Sequence, residues 1–209
     1  MVKHLAILIS TLIFQSCQAQ DKTTATNKIV GGPCEGCDAI HEYGEEVLTS
    51  VDTLPLYDQT DPKLKITGTV FHKDGATPAK DVILYIYHTN RDGIYQTRGD
   101  ETGWAKRHGF IRGWIKTDAT GMYTFYTFRP GAYPNRRAAE HIHITIKEPD
   151  KNEYYMEDFL FDDDPLLTKT ERDRLRQRGG SGIVMPKSDG ANYLVERDII
   201  LGLNIPDYE

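Results

Sequence analysis

The sequence predicts a mainly β protein, an antiparallel β-sandwich with one short C-terminal helix and an extended N-terminal arm. Three observations carry this reading. From Leu64 onward, short apolar, β-branched and aromatic runs are each ended by Gly, Asp, Asn or Pro, the pattern of strands joined by tight turns. One segment alone, "LTKTERDRLRQRGG", combines helical spacing with an N-cap candidate and a glycine stop. Residues 20–54 are rich in Thr, Gly and acids and lack a period, so they read as a linker and arm.

The elements follow in order. "KLKITGTVFHKDG" alternates up to a turn at Asp74-Gly75, and "KDVILYIYHTN" is an apolar and aromatic run ending at Asn90-Arg91-Asp92-Gly93. "FIRGWIKTDATGMYTFYTFRPGAYP" supplies two strands around a turn from Asp118 to Gly121, and "HIHITIK" supplies another. The acidic run Asp162 to Asp164 reads as a solvated turn. The helix is expected to be capped by Thr168 or Thr170, to present Arg172, Arg174, Arg176 and Arg178 to solvent, and to stop at Gly179-Gly180. "YLVERDIIL" is a late strand. A chain of 209 residues with 39% hydrophobic content supports one such domain, residues 55–209, rather than two large ones.

The formal net charge of −6 leaves no basic surplus, which excludes nucleic acid and anionic membrane surfaces as partners. The first residues, "MVKHLAILISTLIFQSC", have a positive start, an apolar run from Leu5 to Phe14 and then small polar residues. That is the layout of an export signal over residues 1–19, and the run is too short to span a bilayer permanently. Cleavage after Ala19 would release a soluble protein. Cleavage before Cys17, which directly follows the apolar run in a loose lipobox, would leave a cysteine for lipid attachment and is the preferred reading. Either way the expected location is outside the cytoplasm, periplasmic or at the outer surface, with membrane contact only through a lipid at Cys17. The other cysteines, Cys34 and Cys37, form a C-x-x-C pair that serves a redox motif, half a zinc site or a small disulfide. With no second pair and no strand–helix context, a disulfide pinning the arm is the simplest use in an oxidising compartment.

The densest chemistry lies in "YPNRRAAEHIHITIK". A strand alternates its side chains, so His141, His143, Thr145 and Lys147 share one face and Ile142, Ile144 and Ile146 the other. Two imidazoles so placed suit one metal ion, although an H-x-H pair also occurs on ordinary sheet surface. Two tyrosines supply context: Tyr133, stiffened by Pro130 and Pro134, and Tyr95, which closes "NRDGIYQT". Phenolate is a hard anionic donor and imidazole a borderline one, a set that suits a hard trivalent ion better than zinc.

These pieces, "NRDGIY", "GWIKTDATGMYTFYTFRPGAYP", "EHIHITI" and "FDDDP" in that order, resemble the intradiol ring-cleavage dioxygenases, the family of catechol and protocatechuate dioxygenases. The resemblance runs from about Leu64 to Pro165. It implies a non-haem Fe(III) cofactor held by Tyr95, Tyr133, His141 and His143, with Tyr133 leaving as an ortho-diphenol chelates and taking one of its protons. It also implies O2 as co-substrate, ring cleavage between the hydroxyls and a cis,cis-muconate-type product.

Two positions depart from the family pattern. An arginine usually stands three residues before the first histidine, where this chain has Ala138, so Arg137 becomes the candidate catalytic arginine and Arg136 a candidate substrate contact. A glutamine usually faces the site where this chain has Asp158, whose carboxylate is expected either to be raised in pKa or to point away. Trp104, Arg98 and Arg107, in the loop "QTRGDETGWAKRHGF", are further candidates for contacting a substrate. The helical region that dimerises catechol dioxygenases has no counterpart here, which implies a small exported branch and leaves the oligomeric state open. Two other readings compete: a surface-displayed transthyretin-like binding module, and a degenerate homologue that binds iron or catecholates without turnover.

Overall fold

The alternation in "HIHITIK" has a direct structural result. Ile142, Ile144 and Ile146 are at most 1% exposed, and burying each contributes roughly 1.5–3 kcal/mol. A one-residue slip would expose all three, so the register, and with it the face on which the histidines stand, is fixed by the core.

The computed structural model describes residues 29–135 and 137–209. The segment read as an export signal, Cys17, the start of the arm and Arg136 lie outside the described residues. The strands form two sheets. One has the order β1 (Val51–Thr53), β5 (Met122–Phe128), β2 (Lys63–Phe71), β11 (Asn192–Glu196), β10 (Lys187–Asp189), with β12 (Ile199–Ile200) also pairing with β2. The other has the order β4 (Arg112–Lys116), β3 (Ile83–Tyr87), β6 (His141–Lys147), β8 (Phe159–Phe161), β9 (Ile183–Val184), with β7 (Tyr154–Tyr155) beside β6. Leu64, Ile66 and Phe125 of the first sheet meet Leu84, Ile86 and the β6 isoleucines of the second in one core.

The β-sandwich is therefore as the sequence implies, but its sheets are mixed. β2–β5, β3–β4, β3–β6 and β6–β8 are antiparallel, whereas β1–β5, β2–β11, β2–β12 and β8–β9 are parallel. Alternation reports which face a residue takes and not which way its neighbour runs, so the parallel pairs left no trace in the pattern. The late strand splits into β11 and β12 at Arg197, whose carbonyl lies where a side chain on Gly68 would sit.

Two short helices are present. α1 (Ala105–His108) lies in the loop after Tyr95 and was not signalled by any period. α2 (Lys169–Arg174) is capped by Thr168, which accepts from Glu171 N, and ends well before Gly179. It ends early because Arg178 is drawn inward, 3% exposed, with its guanidinium 3.8 Å from the Tyr155 ring and Nη1 donating to Gly31 O at 3.1 Å. The arginine series is thus not a uniform solvated face, and Arg172 pairs with Asp162. The acidic run does turn at Asp162 and Asp163, with Asp163 exposed and paired with Arg129 at 2.9 Å, but Asp164 is not solvated: it is 6% exposed and accepts from Glu140 N and Leu166 N.

The segment read as an arm packs onto the outer face of the second sheet. Its 3-10 turn Cys37–His41 buries Ala39 and Ile40 against Tyr85, Trp114 Nε1 donates to Ala39 O at 3.2 Å, and Val51–Thr53 joins the first sheet as β1. The disulfide between Cys34 and Cys37 is formed, with the Cα atoms 5.6 Å apart.

Candidate metal centre

β3 and β6 pair in a register that sets Tyr87 opposite His143 and Tyr85 opposite Thr145. Since Leu84 and Ile86 face the core, these residues stand on the outer face of the second sheet. The ring of Tyr87 is stacked between His143, at 4.6 Å between centroids, and His108 of α1, at 3.8 Å.

Two loops bring the tyrosines to this face. After β3, Asn90 Oδ1 accepts from Asp92 N and Ile94 N, each at 3.0 Å, and its backbone N–H donates to Ile94 O, which curls the chain toward Tyr95. Gly93, at φ 75°, lies so close to the second loop that a Cβ there would overlap the Ala132 carbonyl. Gly131 N donates to Asn90 O and Gly131 O accepts from Thr89 Oγ1. Backbone packed on backbone fixes Tyr95 relative to Tyr133.

The donor atoms converge. His143 Nε2 is 2.8 Å from Tyr95 Oη and 3.4 Å from Tyr133 Oη, His141 Nε2 is 3.3 Å from Tyr133 Oη, and the two phenols are themselves hydrogen-bonded. Ligands about 2.0–2.1 Å from one ion are separated by about 3 Å, which is this spacing. The imidazole tautomers are set from behind. His141 Nδ1 lies 2.7 Å from the Ala139 carbonyl and His143 Nδ1 lies 3.1 Å from the Asp158 carboxylate, both acceptors only, so each Nδ1 carries the proton and each Nε2 presents a lone pair to the cluster. Burial, followed by the nearness of His143, lowers the pKa of His141 and favours its neutral form. Burial and the bond to Tyr133 raise the Tyr95 phenol, so its ionisation at neutral pH requires a strong cation beside it. Two phenols and two imidazoles fit a hard trivalent ion.

His141, His143 and Asp158 each offer an atom within 4.8 Å of the others. Asp158, however, stands on the Nδ1 side of His143 and supports the Nε2 set rather than completing it. Burial alone would raise its carboxyl, but His143, then His141 and Arg197, more than offset this and hold it below the usual carboxylate range. The expectation of a raised or averted Asp158 is corrected: the carboxylate is directed at His143 Nδ1.

The other sequence candidates divide. Arg137 lines a cavity of about 330 Å³ with Ala138, His141, Asp158 and Leu160. Trp104 stacks on His108 at 5.3 Å, donates its backbone N–H to Glu42 and lines neither cavity at the centre, because α1 turns it toward the arm. Arg98 lies 4.2 Å over the Phe110 ring beside a different cavity, and Arg107 is paired with Glu35. Residues that sequence reasoning missed close the site on its other side. A cavity of about 270 Å³ is lined by His143, Asp158, Tyr87 and Tyr155 together with Pro33, Cys34, Glu35 and Gly36 of the disulfide loop. The period-two pattern of "ILYIY" carried the signal for Tyr87, and nothing local carried it for the loop.

The chain is similar to known proteins. Residues 42–175, more than half of the chain, match the Dioxygenase family model, Dioxygenase_C. The chain is 28% identical over 131 residues to the protocatechuate 3,4-dioxygenase beta chain of Burkholderia cepacia, an alignment covering 56% of this chain and 55% of that relative, so it spans about half the relative's length. Among solved structures it is similar to the dioxygenase domain of a dioxygenase carbohydrate-binding protein fusion from Streptomyces sp. SirexAA-E, with TM-score 0.51, 24% identity, and coverage of 74% of this chain and 84% of that one. It is also similar to catechol 1,2-dioxygenase from Pseudomonas arvilla C-1, with TM-score 0.56, 17% identity, and coverage of 83% and 60%. At these identities the structural likeness speaks for the fold, and the family match over most of the sandwich for descent: the chain belongs to the intradiol ring-cleavage dioxygenase family.

Proposed function

We propose that this protein is a non-haem Fe(III) dioxygenase that cleaves catechol-type ortho-diols between their hydroxyls with O2, giving cis,cis-muconate-type products. The observation that supports this is the convergence of Tyr95 Oη, Tyr133 Oη, His141 Nε2 and His143 Nε2 with both Nδ1 protons committed elsewhere. These four residues would hold the ion, and the chemistry it supplies when bound is Lewis acidity toward both diol oxygens and activation of the chelated ring toward O2. An ortho-diphenol must shed two protons to chelate. Tyr133 Oη, in contact with the other three donors, is the base assigned to one of them. Ala139 and Asp158 keep the imidazoles from turning or from taking that proton at Nδ1. Arg137, in the cavity beside His141, is assigned to the negative charge that develops on the ring.

The test is direct. Iron-loaded protein should be coloured by tyrosinate charge transfer, consume O2 with catechol and release a muconate. Tyr95→Phe and Tyr133→Phe should bleach the colour and lower turnover by at least about 100-fold, of the order seen when a group that acts on the transition state is removed. A colourless, iron-free product from iron-replete cells sinks the reading. Colour without turnover leaves a catecholate-binding homologue.

Export and lipid attachment at Cys17 belong to the same proposal. The apolar run Leu5 to Phe14 supports it, as does the Cys34–Cys37 disulfide, which persists in oxidising compartments. Membrane fractionation of the wild type against Cys17→Ser tests it, with loss of membrane association as the expected result.

A further inference from the structure

The cavity beside His143 is walled by the disulfide loop, and it shares Asp158 with the cavity that holds Arg137 and His141. Besides His143, its polar lining comes from the carboxylates of Glu35 and Asp158 and the hydroxyls of Tyr87, Thr145 and Tyr155. Among the described residues no cation lines this wall. Arg107 is engaged by Glu35, Arg176 donates to Tyr155 Oη at 3.1 Å, and Arg178 is buried beneath the Tyr155 ring. The Tyr87 hydroxyl has no hydrogen-bond partner among the described residues.

Resting on the ferric dioxygenase reading, we propose that the ring substituent of a bound diol faces this wall, that the wall selects ortho-diphenols whose substituent is neutral or donor-bearing against those carrying a carboxylate, and that Glu35 sets the preference by withholding Arg107. A carboxylate entering here leaves water, gains no cation and faces Asp158, so its desolvation is not repaid. A hydroxyl or ammonium group finds two carboxylates and two phenol oxygens able to accept from it. The wall is also held in place. Cys34 and Cys37 are bridged, Cys37 is 2% exposed, and Gly36, at φ 87°, lies so near His108 that a Cβ would stand 2.9 Å from Nε2. The loop meets the substrate as a fixed surface and does not reshape around it.

Anaerobic calorimetric titration of the iron-loaded protein with catechol, 4-(2-aminoethyl)catechol and 3,4-dihydroxybenzoate tests this without turnover. The carboxylate should bind at least about tenfold more weakly than catechol, the scale of one unpaired charge contact, and the amine no more weakly. Glu35→Gln releases Arg107 and should narrow the carboxylate-to-catechol ratio by about threefold or more, while adding Arg107→Gln should restore the gap. Equal binding of carboxylate and catechol to the wild type, or an unchanged ratio in Glu35→Gln, overturns the proposal. Oxygen uptake with catechol separates the two levels. If catechol is neither bound nor consumed, the underlying reading falls and this one with it. If catechol is consumed without discrimination, only this one falls.

Discussion

Asp158 accepts the Nδ1 proton of His143 at 3.1 Å, from the edge of the imidazole opposite the two phenols. The bond fixes the tautomer and places a negative charge behind the nitrogen assigned to the metal, an arrangement that strengthens such a nitrogen as a ligand. Asp158→Ala should lower iron affinity by about 10–100-fold, as losing such a partner does elsewhere. Asp158→Asn, which keeps an acceptor but not the charge, should fall between. Chelator competition measures both. Affinity unchanged in the alanine variant would show that the carboxylate is not supporting the ligand.

Gly93 joins the Tyr95 loop to the Tyr133 loop by direct backbone contact. Gly93→Ala adds a methyl group where the Ala132 carbonyl stands, at a φ of 75° that alanine adopts only under strain. The variant should lose roughly 1–3 kcal/mol of stability and, more tellingly, most of its iron, because the phenols separate. Denaturant unfolding and metal analysis on the same preparation decide it. An iron-replete Gly93→Ala protein contradicts the role given to this contact.

What the sequence made legible follows from how local the cause is. The histidine face was readable because three isoleucines on the opposite face pay the register's whole cost. The Thr168 cap was readable because it acts within one turn. Parallel pairing of β11 and β12 with β2 was not, since strand direction depends on the long connection that returns the chain. Asp158 was identified as a position near the site, but its partner was not, because only pairing of β6 with β8 brings it to His143. The arm had no periodicity to read, and its role as a cavity wall comes from packing against Tyr85 and His108.

The Cys34–Cys37 bridge closes a very short loop, so its entropic contribution is small. A closed loop of this size is worth roughly 2 kcal/mol in the chain-entropy treatment. Cys34→Ser with Cys37→Ser should therefore leave the sandwich folded, lower its stability by about that amount, and loosen the wall beside His143. Thermal unfolding checks the first effect. Proteolysis at the Pro33–Gly36 loop checks the second, and equal cleavage of the bridged and serine forms would count against a bridge-held wall.

Stability should fall on mild acidification, for a reason lying in two buried histidines. His88 is 1% exposed, its Nδ1 donates to Thr89 O at 2.7 Å and its Nε2 lies 2.6 Å from Thr127 Oγ1, so the neutral ring is satisfied on both edges and a charge there would be buried. Burial lowers its pKa to about 4, and His108, 6% exposed, is lowered to about 4 for the same leading reason. In the unfolded chain both return to about 6.5. Because the folded pKa lies below the unfolded one, the unfolded state binds more protons between these values. The contribution is complete above about pH 6.5 and is lost as pH falls toward 4. The shift corresponds to about 3 kcal/mol for each ring at the acid end. Chemical denaturation between pH 7 and 5, a window above most carboxylate titration, should show a declining unfolding free energy in the wild type. His88→Gln, whatever it costs at neutral pH, should decline less steeply. Parallel curves for the two proteins would mean that His88 accepts a proton in the fold despite its burial.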